Sequence, residues 1–147
     1  MSPRELDPRV IQARLGLMRD LLDDLRHAGE LSAARLRSDR MLRHAVERIL
    51  SQLVDLAVSI NSHIAATVDG KPPSDYRSSF DSLQASGILP DELTNRLRRS
   101  VGLRNVLTHE YARVDLDLVS EAAQSAGSDC EEYVRRVAEW LKARGPV

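Results

Sequence analysis

The sequence is defined first by what it lacks. It holds one cysteine, Cys130, which excludes an intrachain disulfide and any zinc site built from several cysteines. Such a residue serves either as a small hydrophobe or as an exposed free thiol, and a free thiol is compatible with the cytosol. Aromatic residues make up only 3% of the chain. There is no strand pattern of any length, no internal repeat, no low-complexity segment and no glycine-rich phosphate loop. No unbroken apolar run approaches the roughly 18 residues of a membrane span. Residues 1–10 are charged and lack the apolar centre of a signal peptide. The formal net charge is -1, so no global field draws in nucleic acid, and any RNA contact must come from a local basic cluster. The expectation is a soluble, cytoplasmic protein with no membrane contact.

What is present reads as helix. The 147 residues fit one domain, 1–147, long enough to bury its own core. Leu, Ala, Val and Arg are abundant and 29% of residues are charged, a mixture that suits packed helices better than a sheet. Asp7-Pro8 is a helix start, with Asp as N-cap and Pro at the first helical position. Ile11, Leu15, Met18, Leu22 and Leu25 then mark one helical face, and Gly29 is a natural stop. A second, long helix is expected to begin between Ser32 and Asp39, with a seam at Leu42, Val46, Ile49, Leu53, Leu56, Ile60 and Ile64. Asp69-Gly70 and Pro72-Pro73 end it. Its polar side carries His44, Asp55, Ser59, Ser62 and His63. Part of this length is available to another subunit.

Ser74-Asp75 caps a short helix with Tyr76, Phe80 and Leu83, stopped by Gly87. Pro90-Asp91-Glu92 starts the next, with Pro in the first turn and acids favourable to the helix dipole. Leu93, Leu97, Val101, Leu103 and Leu107 are its apolar residues; Arg96, Arg98, Arg99 and Arg104 form a local basic surface. Gly102, costly inside a helix, suggests a close helix approach. A last helix opens at Val114-Asp115 and carries Leu116, Val119, Ala123, Tyr133, Val137 and Leu141. Gly127 is a candidate break, but one bent helix is favoured. The fold class is therefore all-α, an antiparallel bundle of four to five helices.

Chemistry gathers in Arg104 to Tyr111, R-N-V-L-T-H-E-Y. Arg104 is a permanent cation whose planar fork suits phosphate. His109 exchanges protons near neutral pH. Asn105 can orient either group or bind a phosphate oxygen, and Tyr111 adds a phenol. On a regular helix, residues five apart diverge by about 140°, whereas Arg104, Thr108 and Tyr111 share a face. Either the helix distorts near Thr108, or the site is completed by a second subunit across a two-fold axis. An arginine and a histidine around one groove suit RNA cleavage. The histidine takes the 2′-hydroxyl proton or protonates the leaving 5′-oxygen, and the arginine stabilises charge on the phosphoryl oxygens. The ribose supplies the nucleophile, so neither a metal nor another cofactor is expected.

At these residues the sequence resembles the HepT-type toxins of the HEPN superfamily, whose motif Arg-x4-His-x-Tyr falls here on Arg104, His109 and Tyr111. Glu47-Arg48 and His63 on the long helix, Tyr76-Arg77 with Phe80, the turn Gly87-Ile88-Leu89-Pro90 with Glu92-Leu93, and Val114-Asp115 extend the likeness from about Glu47 to Val119. The resemblance implies a homodimer with the motif at the interface, Arg104 and His109 as catalytic residues of a metal-independent endoribonuclease, and a minimal nucleotidyltransferase antitoxin as partner. It further implies AMP transfer to Tyr111 as the off-switch. The family often has Asp and Asn where this chain has Ser59 and Ser62, which bears on cleavage rate or RNA preference. Two other readings fit the same residues. One is a non-catalytic helical module that binds nucleotide or RNA as the partner subunit of a nucleotidyltransferase. The other is a structural dimer without ligand.

Overall fold

The structure, a computed structural model, describes residues 5–110, 112 and 114–144. Among them the chain forms six helices: α1 (Pro8–His27), α2 (Ala33–Ser38), α3 (Arg40–Val68), α4 (Tyr76–Ala85), α5 (Asp91–His109) and α6 (Leu116–Ala143). Five of the six begin on a side chain that accepts an otherwise unpaired N–H of the first turn: Asp7, Ser32, Asp39, Asp75 and Asp115. Asp75 and Ser78 cap each other reciprocally. The Ser78 N–H holds the Asp75 carboxyl below its usual value of 3.8. α5 starts differently. Pro90 is its N-cap rather than a first-turn residue, without a side-chain cap; Asp91 and Glu92 in the first turn serve the exposed N–H groups electrostatically.

The all-α class stands, with one helix more than expected. Where a single long helix was anticipated from the segment between Ser32 and Asp39, the chain makes two. Asp39 is extended, at φ -121° and ψ 93°, and ends α2 while its carboxylate accepts the Leu42 N–H to open α3. The break comes from capping, not from glycine or proline, and so leaves no strong mark in the sequence. Leu36 of α2 is fully buried, and Ser120 of α6 donates to the Leu31 carbonyl at 2.6 Å. The last segment is one helix that runs through Gly127. Gly29 and Gly87, read as stops, adopt φ of 79° and 77°, the left-handed region that ends a helix at little cost for glycine.

The α1 face read from spacing is the buried one: Ile11, Leu15, Met18, Leu22 and Leu25, each contributing about 1.5–3 kcal/mol when taken out of water. It packs on α3 and α6. α3 itself touches all five other helices, so its burial extends beyond the expected seam to Leu50, Val54, Ala57, Val58, Asn61 and Ala65. By length and composition α3 is apolar enough to cross a membrane, with a mean hydropathy of 1.3 over its most apolar window. That window is 56% buried inside the bundle, as a central core helix must be. Counting unbroken apolar runs misses it, because Asp55 and the serines interrupt the run.

A chain of polar groups crosses this core. The buried Tyr133 hydroxyl of α6 lies 2.6 Å from Asn61 Oδ1 and 3.1 Å from the Ala57 carbonyl. Asn61 Nδ2 donates to Ser79 Oγ at 3.1 Å, and Ser79 donates to the Tyr76 carbonyl at 2.7 Å. Burial pushes the Tyr133 phenol well above its usual range, so it remains a neutral donor. Its ring meets Phe80 edge-on at 6.3 Å. Gly102 marks the approach expected of it, though to a side chain: a Cβ there would lie 3.2 Å from Arg77 Nη2 of α4.

Tyr133→Phe removes the donor to Asn61 and is expected to cost about 1–3 kcal/mol in urea unfolding; an unchanged midpoint would show that the polar chain contributes nothing. Cys130 is the buried hydrophobe of the two options, and burial pushes its thiol up to about 12. At pH 8 about one part in 10⁴ is thiolate for a group at about 12. Iodoacetamide is therefore expected to leave the folded protein unlabelled at pH 8 and to label it fully in denaturant, as read by intact mass.

Candidate functional site

Leu97, Val101 and Arg104 lie on one face of α5 at helical spacing. Leu97 and Val101 are buried, and the same face draws Arg104 to the rim of the core, where its side chain is only 17% exposed. A guanidinium in that position requires partners, and it has them on two other helices. Nε donates to Asp55 Oδ1 of α3 at 2.9 Å. Cζ sits 4.9 Å from the centroid of the Tyr76 ring of α4, a cation–π contact. The Tyr76 hydroxyl donates to the same Asp55 oxygen at 3.2 Å. Arg104 Nη1 lies 3.5 Å from Asn105 Oδ1, the outer limit of a hydrogen bond.

His109 is the last residue of α5 and is exposed. The Glu110 N–H closes the final turn on the Val106 carbonyl at 2.8 Å. α5 is therefore unbroken through His109, and the distortion near Thr108, one of the two expected alternatives, is absent. Within one chain Arg104 and His109 point apart, as the five-residue spacing requires. Among the described residues the His109 ring has no hydrogen-bond or ion-pair partner. Tyr111 lies outside the described residues, beyond the end of α5. Asn105 is exposed beside Arg104.

Other candidates find structural duties. His63 Nε2 accepts the Asp7 N–H at 3.1 Å and so fixes the start of α1. Arg96 pairs with Asp129 at 2.9 Å and Glu132 at 3.6 Å, and Arg98 pairs with Asp81 at 2.9 Å. The basic surface expected on α5 is thus largely neutralised; among its described members Arg99 alone lacks an acidic partner. Asp55 was legible only as a polar residue of the long helix, and Tyr76 as a helix residue within the Tyr76-Arg77 and Phe80 segment of the family likeness. The signal that could have found Asp55 was an acid set among Leu53, Val54, Leu56 and Ala57, where a carboxylate needs a cation. It lies one turn before Ser59.

Beside Arg104, α3, α5 and α6 frame an open groove of about 1140 Å³ with Leu53, Leu103, Leu107 and Leu118 among its walls. Leu118 is 54% exposed. The arrangement offers an aimed cation at the rim of an apolar trough and an imidazole nearby along the helix but turned away.

Residues 18–137 match the family described as Ribonuclease HepT-like. The chain is 31% identical over 137 residues to a tRNA nuclease HepT of Aphanizomenon flos-aquae, covering 92% of each protein. It is 27% identical over 101 residues to an mRNA nuclease HepT of Shewanella oneidensis, covering 69% of this chain and 76% of that protein. Among solved structures, a tri-AMPylated Shewanella oneidensis HEPN toxin in complex with MNT antitoxin has a TM-score of 0.80 at 22% identity, over 88% of this chain and 97% of that one. YutE of Bacillus subtilis, a cytosolic protein of unknown function, has a TM-score of 0.83 at 16% identity, over 97% and 96%. These share the helical fold. The matched span runs from within α1 to near the end of α6 and contains Arg104 and His109, and on that span this chain belongs to the ribonuclease HepT-like family.

Proposed function

We propose that this protein is the ribonuclease toxin of a toxin–antitoxin pair, acting as a homodimer in which Arg104 of one copy works with His109 of the other. The observation that carries the reading is the state of the motif: a guanidinium held on two sides at a groove and, on the same regular helix, an exposed imidazole directed elsewhere. A second copy across a two-fold axis turns that divergence into convergence. The apolar groove beside Arg104 supports this arrangement by offering surface for the partner to cover.

The chemistry needs only groups that protein and RNA supply. His109 takes the 2′-hydroxyl proton, O2′ attacks phosphorus, the bond to O5′ breaks, and the leaving oxygen takes a proton. Arg104 stabilises the charge on the phosphoryl oxygens as it builds, and Asn105 holds a non-reacting oxygen. The products are a 2′,3′-cyclic phosphate and a 5′-hydroxyl, without a metal. The off-switch is AMP transfer to Tyr111 by a minimal nucleotidyltransferase antitoxin; phosphates beside Arg104 would fill the anion site and repel RNA. The tri-AMPylated form of a protein with this fold supports that part of the reading. The working compartment is the cytoplasm.

Arg104→Ala and His109→Ala are each expected to slow cleavage by on the order of 10²-fold or more. A substrate with a 2′-deoxy sugar at the cut should resist, and a chelator should not slow the reaction. Mixing the two inactive variants should restore activity, because one heterodimer site then holds an intact Arg104 and an intact His109. Equal cutting of the deoxy substrate, or full activity of His109→Ala, would reject the nuclease mechanism. Failure of the mixture to recover would reject the shared site.

A further inference from the structure

An arginine fork has several edges, and which of them is free decides what it can bind. Here the Nε edge of Arg104 is taken by Asp55 and its guanidinium also meets the Tyr76 ring, while the Tyr76 hydroxyl fixes the very oxygen that Arg104 uses. Three helices thus each give one group to a closed triangle. Tyr76 is itself tied to the core, since its carbonyl ends the chain that runs through Ser79 and Asn61 to Tyr133. The donors left to meet a ligand are the η nitrogens, of which Nη1 also lies 3.5 Å from Asn105 Oδ1, at the limit of a hydrogen bond.

Building on the ribonuclease reading of Arg104, we infer that Asp55, braced by Tyr76, is a positioning residue that aims the η nitrogens of Arg104 at the RNA phosphate. Asp55 touches neither the scissile bond nor the RNA in this assignment; it acts through the guanidinium. Its charge works against affinity, because a carboxylate beside the anion site repels phosphate and partly cancels Arg104. Its benefit is aim, which counts when charge develops on the phosphoryl oxygens. Affinity and turnover should therefore separate when Asp55 is neutralised.

The test is steady-state cleavage of a mixed-sequence fluorogenic RNA oligonucleotide by the full chain, with thermal unfolding measured in parallel. Asp55→Asn should lower kcat by on the order of 10²-fold, the cost of a misplaced group, with KM unchanged or lower. Asp55→Glu should recover part of kcat. Tyr76→Phe, which keeps the ring and loses the hydroxyl, should lower kcat less than Asp55→Asn. A role confined to holding the fold would lower the melting temperature without this split. The inference is overturned if kcat of Asp55→Asn stays within about threefold of wild type, or if the loss falls on KM alone. Should Asp55→Asn not fold, Asp55→Glu, which keeps the charge but displaces the carboxylate that Arg104 meets, carries the decision on the same threshold. Arg104→Ala separates the two levels. If it cleaves like wild type, the nuclease reading falls; if it is inactive while Asp55→Asn is not, only the positioning role falls.

Discussion

α3 touches all five other helices, and several of its polar side chains are met by groups outside it. Asn61 is met by Tyr133 of α6 and Ser79 of α4. Asp55 is met by Arg104 of α5 and Tyr76 of α4. His63 is met by the backbone ahead of α1. An apolar helix could slide or rotate against apolar neighbours at modest cost; here a shift would leave the buried Asn61 unpaired. The polar positions therefore assign each neighbour its place, and the aliphatic surface supplies the bulk of the driving force.

The same constraint explains what could be read from the sequence. The buried face of α1 was legible because helical spacing is local, and so were the stops at Gly29 and Gly87. The short α2 was not, since its end depends on one aspartate choosing to cap the next helix. Arg104 and His109 stood out as a motif and Tyr76 as part of the family likeness, but nothing local said that Tyr76 and Asp55 hold Arg104. Asp55 lies 49 positions away from it, and Tyr76 lies 21 from Asp55. Those pairings exist only after α3, α4 and α5 have packed. Likewise the Arg96 and Arg98 cluster looked like a basic surface until its acids arrived from α6 and α4.

The regularity of α5 has its own meaning. A helix intact through His109 keeps the imidazole on a rigid element but away from Arg104 of the same chain. In the dimer proposed above, chemistry that needs both groups would be tied to assembly, and a lone copy would hold only half of what the motif spells. Such a division would place control in concentration and partner availability rather than in a moving loop.

The apolar length of α3 bears on how the chain comes into being. Synthesis proceeds from the N-terminus, so α3 leaves the ribosome before α5 and α6, which cover much of it, have been made. Until α5 and α6 follow, a helix apolar enough to pass for a membrane span lacks part of its cover. Arg104 therefore settles against Asp55 only late in the life of the growing chain.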